Sequence, residues 1–430
     1  MMNGGGDRRQ LRAGAATVDV TPPCGCPMQG YEMRRAEGIA DSLCVSALAV
    51  GADRPAWLLL TVDCIGLDRR FTARARAKLA ESIAMPPDAV TIACSHTHSG
   101  PATLPRLGDV EADQQYLAWL EQHLLAAARA AAENVVDVEW RFGTGLLSEN
   151  VNRRVRCGGR IELGADPAGP VDSRLRVVRL DRKADSSPLA LIVHYACHAT
   201  ASGGVPQISA DWPGSMRSAL RALYDQPEPP VVCFLQGCAG DITHRIARDR
   251  DSWPEHFGQH TGVQSHILGR LGAAAALVAS ERSVAVPAET AVAVSQPLSL
   301  RYRWRPAFER TEVQVVRIGA SVSDGARADS AIWMIMLPGE PFAAYGPHIA
   351  ERLRRAVGVD EQHVLVCGYS NDSVGYLPTR AALRDGGYEV ARAHHLYGRP
   401  APFAASTERR VLARAVAAAS ELRHRHVLSL

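Results

Sequence analysis

The 430-residue sequence predicts an α/β chain of mixed sheets flanked by helices, with a binding site at the carboxyl ends of strands. Short, β-branched apolar runs bounded by turn residues recur along the chain and read as buried strands. Between them lie longer segments with apolar residues at helical spacing. Five of the runs end in a Gly- or Pro-marked loop carrying polar or metal-competent groups. α/β sheets bind ligands outside the carboxyl ends of their strands, so five such loops point to one convergent site.

Composition bounds the rest. At 430 residues and 47% hydrophobic, the chain can bury one large core or two moderate ones. Its net charge is +3, from 48 basic and 45 acidic residues mixed along the sequence, so a nucleic-acid partner is not implied. The segment Met1–Arg9 is polar and glycine-rich with no apolar region behind its charges, unlike a secretory signal. No stretch approaches the roughly 18 consecutive apolar residues of a membrane span. Ten cysteines are mostly scattered singly, several inside apparent strands, as expected of reduced core residues. A cytoplasmic location is therefore expected.

In chain order, residues 1–13 read as a flexible tail and Ala15–Thr21 as an opening strand stopped by Pro22-Pro23. Cys44–Val50 and Trp57–Val62 are two strands joined by the turn Gly51-Ala52-Asp53-Arg54-Pro55, and Arg69–Ala84 is the first helix. A short strand ending at Cys94 follows. Gln114–Asn134 is a long helix with Leu117, Leu120, Leu124 and Leu125 on one face. A strand is expected near Glu139–Gly143, then a turn-rich loop over 148–170 around Gly158-Gly159. Leu189–Val193 and Pro230–Leu235 are strands separated by a helix over Ser215–Tyr224. The segment 283–330 is strand-like, a local embellishment of the sheet. Ile332–Leu337 and His363–Cys367 are further strands with a helix from near Phe342 between them, and a final helix begins near Thr407.

The chemistry sits where these strands end. His96 and His98 lie two apart after the strand ending at Cys94, so an extended backbone turns both to one side. Such a pair suits a metal, or one metal ligand and one hydrogen-bonding partner. Asn152-Arg153 sets an amide beside a guanidinium, able to hold a ligand carbonyl or hydroxyl. His198 lies at the outlet of its strand and is a better ligand candidate than His194 within it. Asp211 follows, near a helix start. Gly237 and Gly240 let backbone amides approach a ligand, and Asp241 and Thr243 lie two apart beyond them. The loop lacks the GK[ST] element of a P-loop. His96, His198, Glu340 and Tyr376 together supply two nitrogens and two oxygens, a set suited to zinc with a position open to water. His256 and His260 form a rival pair four apart, without the HExxH form.

These residues resemble the neutral/alkaline, non-lysosomal ceramidases, amidases that cut the amide of N-acylsphingosines. The matching elements are Ser95-His96-Thr97-His98-Ser99-Gly100-Pro101, Asn152-Arg153, the His198 strand with its Asp211 loop, Gly240-Asp241, Pro338-Gly339-Glu340, and Gly375-Tyr376 followed by Thr379. The resemblance implies that His96, His198, Glu340 and Tyr376 bind a catalytic zinc, while His98 and Arg153 serve the substrate's polar head. Ceramidases carry a serine, proposed to act directly in catalysis, where this chain has Thr243, whose β-branch is stiffer and bulkier. They also carry a C-terminal immunoglobulin-like domain. This chain stops at Leu430, so one catalytic domain over 14–430 is expected.

Zinc activates water near neutral pH and polarises a carbonyl. His98 or Asp241 would relay a proton to the leaving amine, and Arg153 would steady an oxyanion or a head-group hydroxyl. No GxSxG elbow offers a serine-triad alternative. The expected activity is amide hydrolysis of an N-acyl amino alcohol or another small N-acyl compound. The alternatives are a zinc esterase, lactonase or acyl-transfer enzyme on a specialised metabolite and, less favoured, a non-catalytic binding protein.

Overall fold

Three strand–helix–strand crossovers, each joining a parallel pair of strands, set the architecture. The computed structural model describes residues 11–245, 262–320 and 330–427. Among these, the larger sheet contains β1 (Arg12–Asp19), β2 (Cys44–Gly51), β3 (Pro55–Val62), β4 (Val90–Cys94), β5 (Val136–Leu146), β6 (Arg174–Arg182), β7 (Pro188–Tyr195) and β8 (Val231–Gln236). Their order is β8-β7-β6-β5-β1-β2-β3-β4, with Val284–Ala285 added beside β5. The second sheet is β9 (Thr290–Arg301), β10 (Phe308–Gly319), β11 (Ile332–Met336) and β12 (Val364–Cys367), in that order. β3 with β4, β7 with β8, and β11 with β12 are parallel, while the other neighbours in these two strand orders are antiparallel. A parallel neighbour cannot be reached by a tight turn, and each of these pairs spans a helix. The helices are α1 (Arg69–Ser82), α3 (Asp211–Leu223) and α5 (Tyr345–Val357).

The period-2 alternation of the strands divides the core into layers. Leu58 and Leu60 of β3 pack with Leu79 of α1 and with Leu120 and Leu124 of α2 (Gln114–Glu133). Trp57 and Leu59 face the other way, joining Trp140, Val178 and Ile192 against Val316, Ile332, Met334 and Leu365 of the second sheet. Leu220 of α3 and Leu268 of α4 (Val263–Glu281) cover Val177, Val193 and Phe234. α5 and α6 (Thr407–Val427) cover the outer face of the second sheet. Helices therefore enclose two face-to-face sheets, the mixed α/β class expected. Each large apolar side chain buried in this way contributes about 1.5–3 kcal/mol.

The structure revises several expected elements. β1 begins at Arg12, and Leu11 and Ala13 are buried, so 12–13 belong to the sheet and Leu11 to the core. The expected loop over 148–170 is largely a hairpin, Asn150–Cys157 against Arg160–Asp166. Its turn needs positive φ at Gly158 and Gly159, which glycine tolerates; the polar Asn and Arg residues had masked the strands. The segment 283–330 is no embellishment: β9 and β10 form half of the second sheet. α3 starts at Asp211 rather than Ser215, and β6 was not anticipated. The alanine-rich run Gly272–Ala279 lies in α4, whose small residues allow close packing on α3. No described helix is long and apolar enough to cross a membrane.

Candidate functional site

The carboxyl ends of the three parallel pairs converge. His96 follows β4, His198 follows β7, and Glu340 follows β11, so each crossover unit supplies one residue. Glutamine 236 at the end of β8 ties two of these ends together: Gln236 Nε2 donates to Ser95 O at 3.2 Å and to Cys197 O at 2.8 Å. The second sheet is stitched in by Cys94 N to Tyr369 O (3.0 Å) and Asn371 N to Ile92 O (2.8 Å). His96, Tyr369 and Asn371 have φ of +65°, +55° and +60°. Such left-handed conformations in non-glycine residues cost energy and persist only where surrounding contacts impose them. Here they aim His96 inward and lay the Tyr369 ring against it, with centroids 4.2 Å apart.

Hydrogen bonding fixes the state of the imidazoles. His96 Nδ1 lies 2.6 Å from Ile65 O, His198 Nδ1 2.8 Å from Ala239 O, and His98 Nδ1 3.0 Å from Gly30 O. A carbonyl oxygen can only accept, so each Nδ1 carries its proton, and in the neutral ring the lone pair of Nε2 faces inward. Burial pushes His198 and His98 well below the ordinary imidazole range, which keeps both neutral. Gly30 lets the chain pass His98: a Cβ there would sit 2.7 Å from the imidazole.

In their neutral forms the three rings turn Nε2 lone pairs toward one another. His96 Nε2 is 3.2 Å from both His198 Nε2 and His98 Nε2. Glu340 Oε2 is 3.3 Å from His96 Nε2 and 3.4 Å from His198 Nε2, and it is buried without a hydrogen bond. Acceptors packed this closely repel unless a cation lies among them. Ligand atoms bound tetrahedrally at zinc distances are roughly 3.3–3.4 Å apart, so the His96, His198 and Glu340 atoms match one face of such a site. His98 completes the imidazole cluster within 4.8 Å but is only partly buried, at its open side.

Around this triangle lies a network that supports it. Glu340–Pro341 pairs in parallel with Tyr376–Leu377, placing Glu340 and Tyr376 side by side. Arg153 Nη2 donates to Tyr376 Oη at 3.0 Å and to Gly240 O at 2.8 Å, and its Nε donates to Glu389 at 2.9 Å. The Tyr397 hydroxyl donates to Glu340 Oε1, leaving Oε2 for the histidines. Asp241 accepts from Asn152 Nδ2 at 3.0 Å and from Ala343 N at 2.7 Å, and burial pushes its carboxyl up to about 6. Asn152 also donates to Pro170 O and accepts from Arg154 N. Its amide is thus engaged inside the protein instead of facing a ligand. Thr243 is buried in the short strand Ile242–His244, paired opposite Val151. Asp211, at 0% exposure, accepts backbone N–H groups of Ala201, Ser202 and Trp212 and so braces the loop after His198.

His96, His98, His198 and Glu340 are brought together as expected, with Tyr376 and Arg153 adjoining. His194 instead bonds Val366 O from within β7. The rival His256 and His260 lie outside the described residues. The sequence reading missed Tyr369, Glu389, Tyr397, Gln236 and Arg34. Gln236 and Tyr369 carried a visible signal, their places at strand outlets; Arg34, Glu389 and Tyr397 approach the site through tertiary contacts alone.

The fold and cluster define a class, a mixed α/β scaffold with a histidine–carboxylate site where three crossover units meet. The structure is similar to neutral ceramidase from Pseudomonas aeruginosa at TM-score 0.77 and 15% identity, covering 97% of this chain and 75% of that one. It is likewise similar to a ceramidase complexed with C2, at TM-score 0.78 and 15% identity, covering 97% of this chain and 76% of that one. No protein-family model and no curated protein matches the sequence. The chain has the neutral ceramidase fold.

Proposed function

We propose that this protein is a zinc-dependent hydrolase that cleaves the amide of an N-acyl amino alcohol or a related small N-acyl compound. The observation that carries the reading is the triangle of His96 Nε2, His198 Nε2 and Glu340 Oε2, with sides of 3.2, 3.3 and 3.4 Å. Its atoms are all acceptors, and the fold shared with ceramidases supports the amidase assignment. His96, His198, Glu340 and Tyr376 would hold the metal; Arg153 donates to one lone pair of the Tyr376 oxygen and leaves another for the metal. Zinc in such a site supplies an activated water at about neutral pH and a Lewis acid for a carbonyl.

The chain's own groups do the rest. His98 holds its Nδ1 proton on Gly30 O, so its Nε2 takes a proton from the attacking water and passes it to the leaving amine. Arg153, charged and held by Glu389, stabilises negative charge on the carbonyl oxygen or binds a head-group hydroxyl. Asp241 and Asn152 position the Arg153 strand and the Glu340 loop; with both Asp241 oxygens already engaged, the proton relay falls to His98. The Thr243 hydroxyl orients water or substrate.

Elemental analysis should find about one zinc per chain. Matched amide and ester substrates should show amide turnover. Full activity in metal-free protein would overturn the reading. Thr243→Ala should lower kcat roughly 10- to 100-fold, as for loss of a supporting hydrogen bond near a metal. An acyl group trapped on Thr243 would instead make it the nucleophile.

A further inference from the structure

Arg34 is a cation at this site for which the described residues supply no counter-charge. It belongs to the two-residue strand Arg34–Arg35, paired with Pro27–Met28, and its neighbours Glu32 and Met33 are exposed, which puts it on the rim. Arg34 Nη2 donates to His98 O at 2.5 Å. Its guanidinium lies 5.0 Å from the centre of the Tyr31 ring, which in turn meets the His98 ring edge-on at 5.4 Å. Nε and Nη1 are shut off from solvent and have no hydrogen-bond partner.

The other guanidiniums near the site are compensated. Arg153 and Arg154 share Glu389 at 2.9 and 2.6 Å, and Arg217 pairs with Asp63 at 2.7 Å. Among the described residues, no carboxylate forms an ion pair with Arg34; Tyr31 and His98 are its titratable neighbours. Keeping a guanidinium desolvated with two empty donors is costly, and burial of a charge is ordinarily matched by an opposite one. An arginine donor set is shaped for a carboxylate or phosphate. The position is also specific: Arg34 touches the His98 backbone and its charge acts on the His98 ring, whose Nε2 is 3.2 Å from His96 Nε2, which sets the guanidinium beside the imidazole cluster.

We infer that Arg34 binds an anionic group of the substrate, so that the protein acts on N-acyl compounds bearing a carboxylate or phosphate close to the scissile amide. This rests on the amidase reading for the reaction, but not for the binding. An uncharged amino alcohol would leave the guanidinium charge uncompensated, whereas an acid would compensate it.

The test uses metal-loaded protein and three matched substrates: N-octanoyl-alanine, N-octanoyl-alaninol and the phosphate monoester of the latter. The anionic substrates should exceed the alcohol in kcat/KM by about 10- to 100-fold, the effect of a hydrogen-bonded charge pair. Arg34→Gln should collapse that ratio towards one, while Arg34→Lys should keep much of it. The ratio of acid to phosphate tells which anion the site takes, and a preference for either supports the inference. Titration with non-hydrolysable ketomethylene analogues of the acid and the alcohol gives a second readout. Acid binding that depends on Arg34, without amide turnover, would uphold the inference and sink the amidase reading. Amide turnover with no preference for anions, unchanged in ratio by Arg34→Gln, would overturn the inference and leave that reading standing.

Discussion

Replacing Glu340 by glutamine separates a metal site from an ordinary polar cluster, because the two predict opposite changes in stability. In metal-free protein at pH 8, Glu340 Oε2 faces two imidazole lone pairs at 3.3 and 3.4 Å, all acceptors with no donor among them. A buried acceptor left unpaired costs about 1–3 kcal/mol. In Glu340→Gln, the amide oxygen accepts from Tyr397 and the amide NH2 points at the imidazoles, offering two hydrogens to two acceptors. The variant should therefore be more stable than the parent in chelator, by about 1–3 kcal/mol. Unfolding entropy of about 2.1 cal/mol/K per residue, over the 430 residues, makes each kcal/mol worth about 1 °C, so the melting temperature should rise by about 1–3 °C. With metal present the order reverses, because the amide nitrogen is no ligand and bound zinc should fall from about one per chain to near zero. Thermal scans with and without chelator, alongside elemental analysis, measure both. A variant that melts below the parent in chelator, or that retains its metal, refutes the lone-pair argument.

Other consequences follow from the supporting network. Tyr397→Phe removes the hydroxyl from Glu340 Oε1 and should weaken metal binding roughly 10- to 100-fold in chelator competition while leaving the fold intact; unchanged affinity would count against the tie. Glu389→Leu strands the buried Arg153 and Arg154 guanidiniums and should destabilise the protein by about 3–5 kcal/mol, so a melting temperature equal to the parent's would contradict their pairing. Burial tends to raise the Asp172 carboxyl, but the Arg174 hydrogen bond and the Arg176 charge prevail and hold it at about 2. A depressed carboxyl stabilises the fold above its unfolded pKa of about 4, and that contribution fades as pH falls through about 2. Asp172→Asn should thus cost about 2 kcal/mol at pH 7 and about half as much at pH 3 in urea unfolding. A cost independent of pH would show that the pair is not ionic.

The strands were legible wherever a short apolar run met a glycine or proline, because local sterics and period-2 burial act within a few residues. That is why Val90–Cys94, Ile332–Met336 and Val364–Cys367 stand within a residue or so of their expected bounds. The convergence of His96, His198 and Glu340 was legible for a related reason: a polar group at a strand outlet is announced by the strand before it. Other features depended on segments far apart in the chain. Tyr397 reaches Glu340 across 57 positions, Glu389 meets Arg153 across 236, and Arg34 meets the His98 backbone across 64. No local pattern encodes such meetings. The tautomers also belong to the tertiary structure, since a histidine's inward lone pair is set by which distant carbonyl takes its other proton. The sequence determined most of the strands, their outlets and the residue types placed there. Folding decided which imidazole nitrogens face one another at 3.2 Å and that Arg34 meets no carboxylate among the described residues, because both are relations between side chains that only packing brings within reach.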